Sequence, residues 1–498
     1  MRGGRTAARV RLMLAATAAA ASVIVLSGCS APAMPQSAAP DAGVQLFQWP
    51  WSSIARECED TIAPAGFGWV LTSPPQEHVV GDQWWVSYQP VSSAIESRLG
   101  TRDEFADMVA RCGAVGVDVI ADAVINHMTG QDAAGTGSAG TPFEHYSYPG
   151  LYETGDFHHC GLTPGDEIDD YSSREQVQTC ELVNLADLDT STASVRERIG
   201  AYLDDLLSLG VSGFRIDAAK HMAADDVAAI AADLPEGTRI LSEVIRGGAD
   251  EPVQPEEYTG FGEVFEFTYA RDLGPQLRAG SITDPKLAAE RPLHVPSDRA
   301  IVFLDNHDTE RGEADVTYRD GGLYLIANML MLADDYGTPV VLSGYAFTDR
   351  DAGAPADAGG ATLDASCTGA SAAGPLDEYA DGERTCVHAW PALAGMLAWR
   401  AAVGDAPRLP GVHEGKGYGF EREGRGVVVV NPGAKPVAIG VPTTLPAGEY
   451  CDVVSGGRDA ATHDGCRGTA VTVADGAARF ELEGNAAAAI HVGSRAGE

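Results

Sequence analysis

Four short segments of this chain each end an apolar, β-branched run with carboxylate or imidazole side chains. In chain order they are Asp122–His127, Gly213–His221, Ser242–Ile245 and Phe303–Asp308. Because the strands of a parallel barrel present their carboxyl ends at one face, side chains from these segments can meet there. The segments therefore predict one site that several strands build together.

Three of the segments each contribute an acid, and one adds a cation. Asp217, Glu243 and Asp308 come from different predicted strands, and Arg215 lies two residues before Asp217. Because side chains alternate between the two faces of a strand, Arg215 and Asp217 should point the same way. We expect Arg215 to lower the pKa of Asp217 and keep that carboxylate ionised.

Glu243 has a different expected environment. Arg239 is four residues away and need not face it, so no fixed cation is expected beside Glu243. Burial near a second acid would raise the pKa of Glu243, which suits a proton donor. A single Asp after a strand is often only the N-cap of the next helix. Three acids in this order instead favour carboxylate-driven cleavage of a glycosidic bond.

The hydrophobic pattern alternates between strand and helix over most of the chain. Predicted strands lie at 44–48, 68–72, 117–124, 211–217, 238–244, 263–268, 300–305 and 338–342, and predicted helices at 51–62, 102–115, 193–209, 222–233, 321–333 and 389–403. About eight such units predict an α/β fold of the (β/α)8 TIM barrel type. A doubly wound open sheet is the alternative, and it requires a phosphate-binding glycine fingerprint that we do not find.

Two regions interrupt this pattern. Residues 128–185 are irregular and rich in Gly, Thr and Asp, which predicts a small domain inserted after the third strand. From residue 404 to 498, short apolar runs separated by Gly, Pro and Asp predict a C-terminal antiparallel β-domain. The barrel would then comprise residues 44–127 and 186–403.

The N-terminus predicts export. Residues 1–28 combine a basic start with an apolar stretch and small residues, the pattern of a signal peptide. The ending Leu26-Ser27-Gly28-Cys29 resembles a bacterial lipobox, which predicts lipidation of Cys29. Ordinary secretion with an incidental cysteine is the alternative. Residues 29–43 are rich in Ala, Pro and Ser and predict a flexible tether, so the protein would be lipid-anchored at the extracellular face of the membrane, or secreted.

Charge and cysteine content limit the partners and the compartment. The formal net charge of −37, from 71 acidic and 34 basic residues, argues against nucleic acid as a partner. Of nine cysteines, eight remain after Cys29, and an even set in an exported chain suggests disulfides. Neighbours in sequence suggest Cys160 with Cys180, Cys367 with Cys386 and Cys451 with Cys466, which leaves Cys58 with Cys112; sequence alone does not fix the pairing.

The four segments resemble the four signature regions of the α-amylase family, glycoside hydrolase family 13. The stretches Val44–Trp49, Ser73–His78, Trp84–Pro90 and Asp122–Met128 resemble the α-amylases of animals and of some filamentous soil bacteria. The resemblance covers residues from about 44 to 345, and the rest more loosely. It implies retaining endo-hydrolysis of α-1,4-glucosidic bonds in starch, glycogen or related glucans.

The resemblance also implies a role for each site residue. Asp217 matches the nucleophile, Glu243 the acid/base and Asp308 the transition-state stabiliser, with Asp217 and Glu243 about 5–5.5 Å apart in a retaining enzyme. Packing in the core is the alternative for the adjacent Trp84 and Trp85, but in a strand or loop they would point opposite ways, so at least one should be exposed. The resemblance implies that Trp85 and Tyr88 form the aromatic platform under the sugar ring and that His127 and His307 bind that sugar. It places Trp84 and Gln89 on the glycone side, Lys220 and His221 on the aglycone side, and Arg215 beside the nucleophile.

Two ions follow from the same resemblance. A structural Ca²⁺ would bind Asn126, Asp187 and the carbonyls of His221 and Gln178, where the family usually has Arg in place of Gln178. The alternative to a calcium site is that the side chains of Asn126 and Asp187 only cap loops. The chloride site of the animal enzymes needs two Arg and one Asn; Arg215 and Asn306 fit, but Val340 stands at the likely third position, which argues against chloride activation.

The sequence is also compatible with two other functions. One is a non-catalytic glucan-binding lipoprotein on the same scaffold, which would be expected to lack one of the acids. The other is a sister enzyme that forms maltooligosaccharides or transfers glycosyl groups. The glycine-rich mobile loop of the animal enzymes is replaced here by Glu310–Asp315, so the aglycone side is expected to differ. We expect the protein to be monomeric.

Overall fold

A computed structural model describes residues 41–248, 250–283, 293–463 and 465–497. The predicted signal peptide, the lipidation site Cys29 and nearly all of the predicted tether lie outside the described residues. None of the helices in the described ranges is both long and apolar enough to cross a membrane.

Eight parallel strands close into a barrel, which confirms the predicted fold class. The first ten strands in the chain are β1 (Gly43–Leu46), β2 (Trp69–Thr72), β3 (Asp118–Ala123), β4 (Gly135–Thr136), β5 (Pro142–Phe143), β6 (Gly213–Ile216), β7 (Arg239–Ser242), β8 (Glu263–Phe265), β9 (Ala300–Val302) and β10 (Thr338–Ser343). The barrel order is β1-β10-β9-β8-β7-β6-β3-β2, and β4 pairs with β5 in the segment inserted after β3.

The alternation of side chains along β2 shows how the sequence builds the barrel. Trp69 and Leu71 belong to the apolar cluster that fills the barrel, together with Ile120, Leu241 and Phe303. The residue between them, Val70, belongs instead to the larger core. Alternate side chains of β2 therefore face the inside of the barrel and its outer layer in turn.

Helices cover the outside of the barrel. They are α1 (Trp51–Glu57), α2 (Ala63–Ala65), α3 (Arg102–Ala114), α4 (Arg174–Thr179), α5 (Ala193–Ser208), α6 (Ala224–Asp233), α7 (Phe267–Ala279), α8 (Gly322–Ala333), α9 (Ala370–Ala373) and α10 (Pro391–Val403). A π-helical stretch, Cys58–Ile62, joins α1 to α2. The single helix predicted at 51–62 is therefore π-helical in its second half, and it continues to Ala65. Gly66 ends it in the left-handed region at φ 97°.

Helix α7 was not predicted, and the strand expected at 263–268 ends at Phe265. The Glu266 side chain caps the helix by accepting a hydrogen bond from Thr268 N. Gly274 and Pro275 both lie inside the helix, where their types normally argue against helical structure. The buried face formed by Phe267, Tyr269, Leu273 and Leu277 outweighs that local preference.

Four disulfides link the eight cysteines of the described ranges in the pairing that the sequence suggested. Cys58–Cys112 joins the π-helical stretch to α3, and Cys160–Cys180 lies in the inserted segment. Cys367–Cys386 and Cys451–Cys466 follow the barrel strands. Disulfides are typical of proteins exported from the cytosol.

The predicted C-terminal β-domain consists of two antiparallel sheets. One contains β11 (Val412–Glu414), β12 (Gly417–Arg422), β13 (Gly426–Asn431) and β18 (Ala486–His491), and the other β14 (Val437–Pro442), β17 (Ala477–Leu482), β16 (Ala470–Ala474) and β15 (Gly448–Cys451). Their inner faces share an apolar core that includes Val429, Val441 and Phe480. On the barrel side, the Trp399 indole of α10 donates to the Ile490 carbonyl at 2.9 Å.

Candidate active site

The carboxyl ends of β6, β7 and β9 bring the three predicted acids to one face of the barrel. Asp217 and Glu243 come directly after β6 and β7, which pair in register through Ile216 and Ser242. Asp308 lies further beyond β9, in the loop that leads to the 3₁₀ turn Thr309–Arg311. All three acids line a single cleft with a volume of about 370 Å³.

Arg215 lies under this cleft and contacts three carboxylates. Its Nη1 is 2.6 Å from Asp122 Oδ1 and 3.0 Å from Asp217 Oδ1. Its Nη2 is 2.8 Å from Glu243 Oε1. The prediction that Arg215 and Asp217 point the same way is confirmed. The prediction that no cation lies beside Glu243 is wrong, because Arg215 reaches it from the neighbouring strand.

A single guanidinium cannot neutralise all the acids of this face. Burial raises the pKa of Asp217 above its ordinary value, and Arg215 offsets this only in part. Sequence reasoning predicted a lowered pKa for Asp217, so its net direction was wrong. Burial also raises the pKa of Glu243, with Arg215 lowering it and Asp217 raising it further. The raised pKa of Glu243 agrees with its expected role as a proton donor.

Two more acids near this site have raised pKa values. Burial raises the pKa of Asp308 well above its ordinary value, and the charge of Glu243 adds to the effect. Burial raises the pKa of Asp122 to about 7 against the lowering effect of Arg215. Sequence reasoning did not single out Asp122, although it opens the first of the four segments. Its Oδ2 accepts a hydrogen bond from Tyr88 Oη at 2.8 Å.

Ala218 has a strained backbone that orients Glu243. It lies in the left-handed region at φ 50°, which residues other than Gly adopt rarely. Its N–H donates to Glu243 Oε2 at 2.9 Å. Glu243 is therefore held through both oxygens, by Arg215 on one side and by this amide on the other. Strain of this kind is typical of functional sites.

His307 is fixed between two aromatic rings on the floor of the cleft. It stacks on Tyr88, with ring centroids 4.8 Å apart, and on Phe47 at 4.7 Å. Its Nδ1 accepts from Gln45 Nε2 at 3.0 Å, so Nε2 carries the proton and faces Asp308 Oδ2 at 3.2 Å. Burial lowers the pKa of His307 well below its ordinary value. A neutral ring therefore donates a hydrogen bond toward the third acid.

Trp84 and Trp85 both line the cleft, and both are half-buried. They lie in a 3₁₀ turn, Trp84–Tyr88, rather than in a strand or extended loop. The expectation that they point opposite ways is therefore wrong. Successive residues of a 3₁₀ helix are about 120° apart, so both rings can reach the same cleft.

The remaining predicted binding residues occupy different positions. His127, Lys220 and His221 line the cleft. His127 is neutral, because burial lowers its pKa to about 4, and its Nε2 donates to the Tyr88 carbonyl. Gln89 is not part of the cleft lining; its Oε1 accepts from Thr129 Oγ1 at 2.9 Å, which joins the 3₁₀ turn to the inserted segment. Arg215 lies beneath the cleft.

Besides Ala218, sequence reasoning missed five apolar or aromatic residues of the lining. Ile245 follows Glu243 by two positions, and this spacing could have placed it on the same side as Glu243. The others belong to the inserted segment, whose irregular pattern gives no register. Val183 among them is largely exposed and has a positive φ of 47°. The missed residues are Tyr171, Leu182, Val183, Leu185 and Ile245.

Asn126 and Asp187, expected as calcium ligands, lie on paired segments, since Leu188 N donates to the Asn126 carbonyl at 3.0 Å. Asn126 Oδ1 is buried, and no described residue donates a hydrogen bond to it. Asp187 is also buried and accepts from His158 Nδ1 at 2.6 Å. An unpartnered amide oxygen and a buried carboxylate fit the all-oxygen coordination of Ca²⁺.

Gln178 and His221, expected as carbonyl ligands, also lie on paired segments. His221 Nδ1 donates to the Val177 carbonyl at 2.9 Å, and Gln178 Nε2 donates to the Met222 carbonyl at 3.2 Å. Gln178 lies in the last turn of α4, where carbonyls have no partner within the helix. Its side chain is thus engaged elsewhere while its carbonyl is suited to a cation.

Val340, at the expected third chloride position, lies in the apolar interior of the barrel. Asn306 Oδ1 accepts from the backbone N–H groups of Asp308 and Thr309 at 3.1 and 2.8 Å. The Asn306 side chain therefore shapes the loop that carries Asp308. The absence of chloride activation stays a prediction.

A larger cleft, of about 830 Å³, lies between α10 and the C-terminal domain. It is lined mostly by small and apolar residues, together with Trp390, Arg458, Arg467 and His491, and contains none of the three acids. Volume alone would favour this larger cleft as the active site, but the three predicted acids line the smaller one. The carboxylates, not the volume, identify the candidate active site.

Comparisons with known proteins agree with the site. A family model described as the α-amylase catalytic domain matches residues 88–269, and one for the α-amylase C-terminal all-β domain matches 413–493. An α-amylase of Streptomyces violaceus is 43% identical over 480 residues, covering 96% of this chain and 78% of the relative. An α-amylase of Tenebrio molitor is 37% identical over 475 residues, covering 91% and 97%.

Solved structures of one animal enzyme are similar over nearly the whole chain. Wild-type α-amylase I of Eisenia fetida superposes with a TM-score of 0.81 at 33% identity, covering 91% of this chain and 97% of that one. A variant of the same enzyme in complex with maltohexaose gives a TM-score of 0.82 at 32% identity, with the same coverage.

Proposed function

This chain belongs to the α-amylase family of glycoside hydrolases, and from that premise we propose that it is a retaining endo-hydrolase of α-1,4-glucosidic bonds in starch, glycogen and related glucans. The observation that carries this proposal is the contact of Arg215 with both Asp217 and Glu243, beside Asp308 in one cleft. Two carboxyl groups on one guanidinium give the site the paired acids that glycosidic cleavage needs.

In the first step Asp217 acts as the nucleophile. Its carboxylate oxygen bonds to the anomeric carbon while the bond from that carbon to the leaving glucosyl oxygen breaks. Glu243 transfers its proton to that oxygen, so the leaving chain departs as a neutral alcohol. The ring becomes positively charged as the bond breaks, and Asp308, with the neutral His307 beside it, stabilises this state.

In the second step water replaces the leaving chain. Glu243, now a carboxylate, takes a proton from the water as its oxygen bonds to the anomeric carbon and the ester bond to Asp217 breaks. Two inversions leave the anomeric configuration unchanged. Tyr88, stacked on His307, supplies an aromatic surface for the sugar ring, and Lys220 and His221 bind on the aglycone side.

Calcium is part of the same proposal, with Asn126, Asp187 and the carbonyls of Gln178 and His221 as its ligands. The ion would supply structural cross-linking rather than chemistry, because it would join the inserted segment to the loops after β3 and β6. Oxygen donors from separate segments bind Ca²⁺ only when the segments are folded together, so the folded state would gain stability.

Localisation and assembly follow as further parts of the proposal. The four disulfides fit an exported protein, and the lipobox-like Leu26–Cys29 supports a lipid anchor at the extracellular face of the membrane. We expect a monomer, with an α-glucan as its partner.

Product chromatography on soluble starch, with and without chloride, tests the proposed function. A mixture of oligosaccharides that appears early, at a rate independent of chloride, is the expected result. A single released oligosaccharide or lengthened glucans would favour the sister enzyme. Binding of starch without any products, with Ca²⁺ present, would favour the non-catalytic glucan-binding protein.

A further inference from the structure

Arg311 is buried among aromatic rings beside the cleft. Its guanidinium carbon is 4.0 Å from the ring centroid of Phe347 and 5.0 Å from that of Trp84. The rings of Tyr345 and Phe47 are at 5.6 and 5.7 Å. A cation over an aromatic face is attracted by the ring's electrons, and more strongly where water is excluded.

Arg311 and Trp84 donate hydrogen bonds to the same loop. Arg311 Nη1 donates to the Arg350 carbonyl at 2.9 Å, and Trp84 N donates to the next carbonyl, that of Asp351, at 3.2 Å. Arg311 Nη2 also donates to Tyr345 Oη at 3.1 Å. Two successive carbonyls thus hold the cation and the tryptophan in one arrangement.

The acid next to Arg311 in sequence does not hold its guanidinium closely. Glu310 Oε1 is 3.8 Å from Arg311 Nη2, too far for a hydrogen bond. The aromatic faces and the two hydrogen bonds therefore determine where the guanidinium lies. Trp84 in turn packs edge-on against His307 and Tyr88, with ring centroids 5.6 and 6.0 Å apart.

Arg311 also belongs to the turn that carries the third acid. It ends the 3₁₀ turn that begins after Asp308, and its N–H donates to the Asp308 carbonyl at 3.1 Å. We propose that Arg311 is a positioning residue for substrate binding, which holds the Trp84 ring at the glycone side of the cleft and ties it to the Asp308 turn. This rests on the proposed function, because the resemblance alone assigns Trp84 to the glycone side.

The test measures binding without turnover. In a Glu243→Gln background, calorimetry with maltohexaose compares Arg311→Met, Trp84→Ala and the two combined. Arg319→Met is the matched control, because the Arg319 guanidinium lies 4.2 Å from the Phe347 ring and donates to the carbonyls of Phe347 and Glu310, while none of its contacts within the described ranges involves Trp84. Thermal melting reports whether each variant folds.

Arg311→Met is expected to weaken maltohexaose binding by about tenfold, which lies between the effect of an exposed and that of a desolvated cation–π contact. In the Trp84→Ala background the same substitution should change the Kd by less than about twofold, because coupled residues are not additive. Arg319→Met should leave the Kd unchanged. Additive losses, an unchanged Kd in folded Arg311→Met, or an equal loss in Arg319→Met would each overturn the proposal.

Two further measurements keep the result decisive. If Arg311→Met does not fold, Arg311→Lys replaces it, because lysine keeps the charge but not the planar contact with the rings. Arg311→Lys should weaken maltohexaose binding less than Arg311→Met, and this effect must also disappear in the Trp84→Ala background. Without any ligand, Arg311→Met should increase acrylamide quenching of tryptophan fluorescence, and Trp84→Phe should remove that increase. An increase that persists in Trp84→Phe would overturn the proposal. Glucan binding by wild-type protein without hydrolysis would reject the proposed function alone.

Discussion

Arg215 and Glu243 lie 2.8 Å apart, from Nη2 to Oε1, although they belong to neighbouring strands of the barrel. The same guanidinium is 3.0 Å from Asp217. The cation therefore does not distinguish the two acids by touching only one of them. Burial, the Ala218 amide on Glu243 and the charge of the nearby carboxylates must decide which acid holds the proton.

Glu243→Gln is expected to fold normally and to lose nearly all turnover. The amide keeps an oxygen for the Ala218 N–H, but it has no proton to transfer. General acid–base catalysis contributes about 10²–10⁴-fold, so kcat on soluble starch should fall at least a hundredfold at an unchanged melting temperature. The control is Glu263→Gln, whose parent carboxylate pairs with Arg239 outside the cleft. Near-native turnover by Glu243→Gln would refute the role of Glu243.

Arg215→Lys is expected to move the acidic limb of the pH–rate profile to higher pH. Lysine keeps the charge, but one ammonium cannot contact Asp122, Asp217 and Glu243 together. Arg215 lowers the pKa of Asp217, so weaker contact raises that pKa, and the nucleophile becomes ionised only at higher pH. The measurement is kcat/KM as a function of pH, and the matched control is Arg239→Lys, because Arg239 is also an arginine of a barrel strand. An unshifted limb, or an equal shift in the control, would contradict this account.

Asp305→Asn is expected to make the protein less sensitive to pH between about 4 and 7. Burial raises the pKa of Asp305 to about 7, with the Tyr324 hydroxyl offsetting part of the effect. The folded protein therefore binds a proton there that the unfolded chain has released, and the free energy of unfolding falls as the pH rises.

The contribution of Asp305 to that fall is at most on the order of 4 kcal/mol. Urea denaturation of wild type and Asp305→Asn at several pH values measures it. The variant should gain stability relative to wild type as the pH rises toward 7. Two curves that stay parallel across this range would show that Asp305 does not titrate as described.

Removing calcium is expected to lower the melting temperature. A ligand that binds only the folded state adds about 2.7 kcal/mol when its concentration is a hundred times its Kd. Chelator should therefore destabilise the wild type, and Asp187→Asn should melt at the same temperature with or without Ca²⁺. Asp170→Asn, an exposed acid of the same segment, is the control. A wild-type melting curve unchanged by chelator would count against the site.

The barrel was predictable because its signal is local. Each strand is a short apolar run with polar residues at its end, and alternation alone put Arg215 and Asp217 on one side. Contacts between strands were not predictable in the same way. The approach of Arg215 to Glu243 depends on the pairing of β6 with β7, which no single segment encodes.

The inserted segment was the hardest part to predict. It has little regular structure, so no periodicity indicates which residues face the cleft, and Tyr171 and Val183 were missed. Helix α7 was missed for the opposite reason, since Gly274 and Pro275 give a strong local signal that buried contacts override. Trp84 and Trp85 were found by resemblance, but their 3₁₀ turn was not.

The most direct test of the central claim is the anomeric form of the first product. Proton NMR of a maltohexaose digest distinguishes α from β reducing ends before they interconvert. Attack by Asp217 followed by attack of water predicts that the α form appears first. First appearance of the β form would contradict a covalent intermediate on Asp217, and no new reducing ends at all would contradict the hydrolase itself.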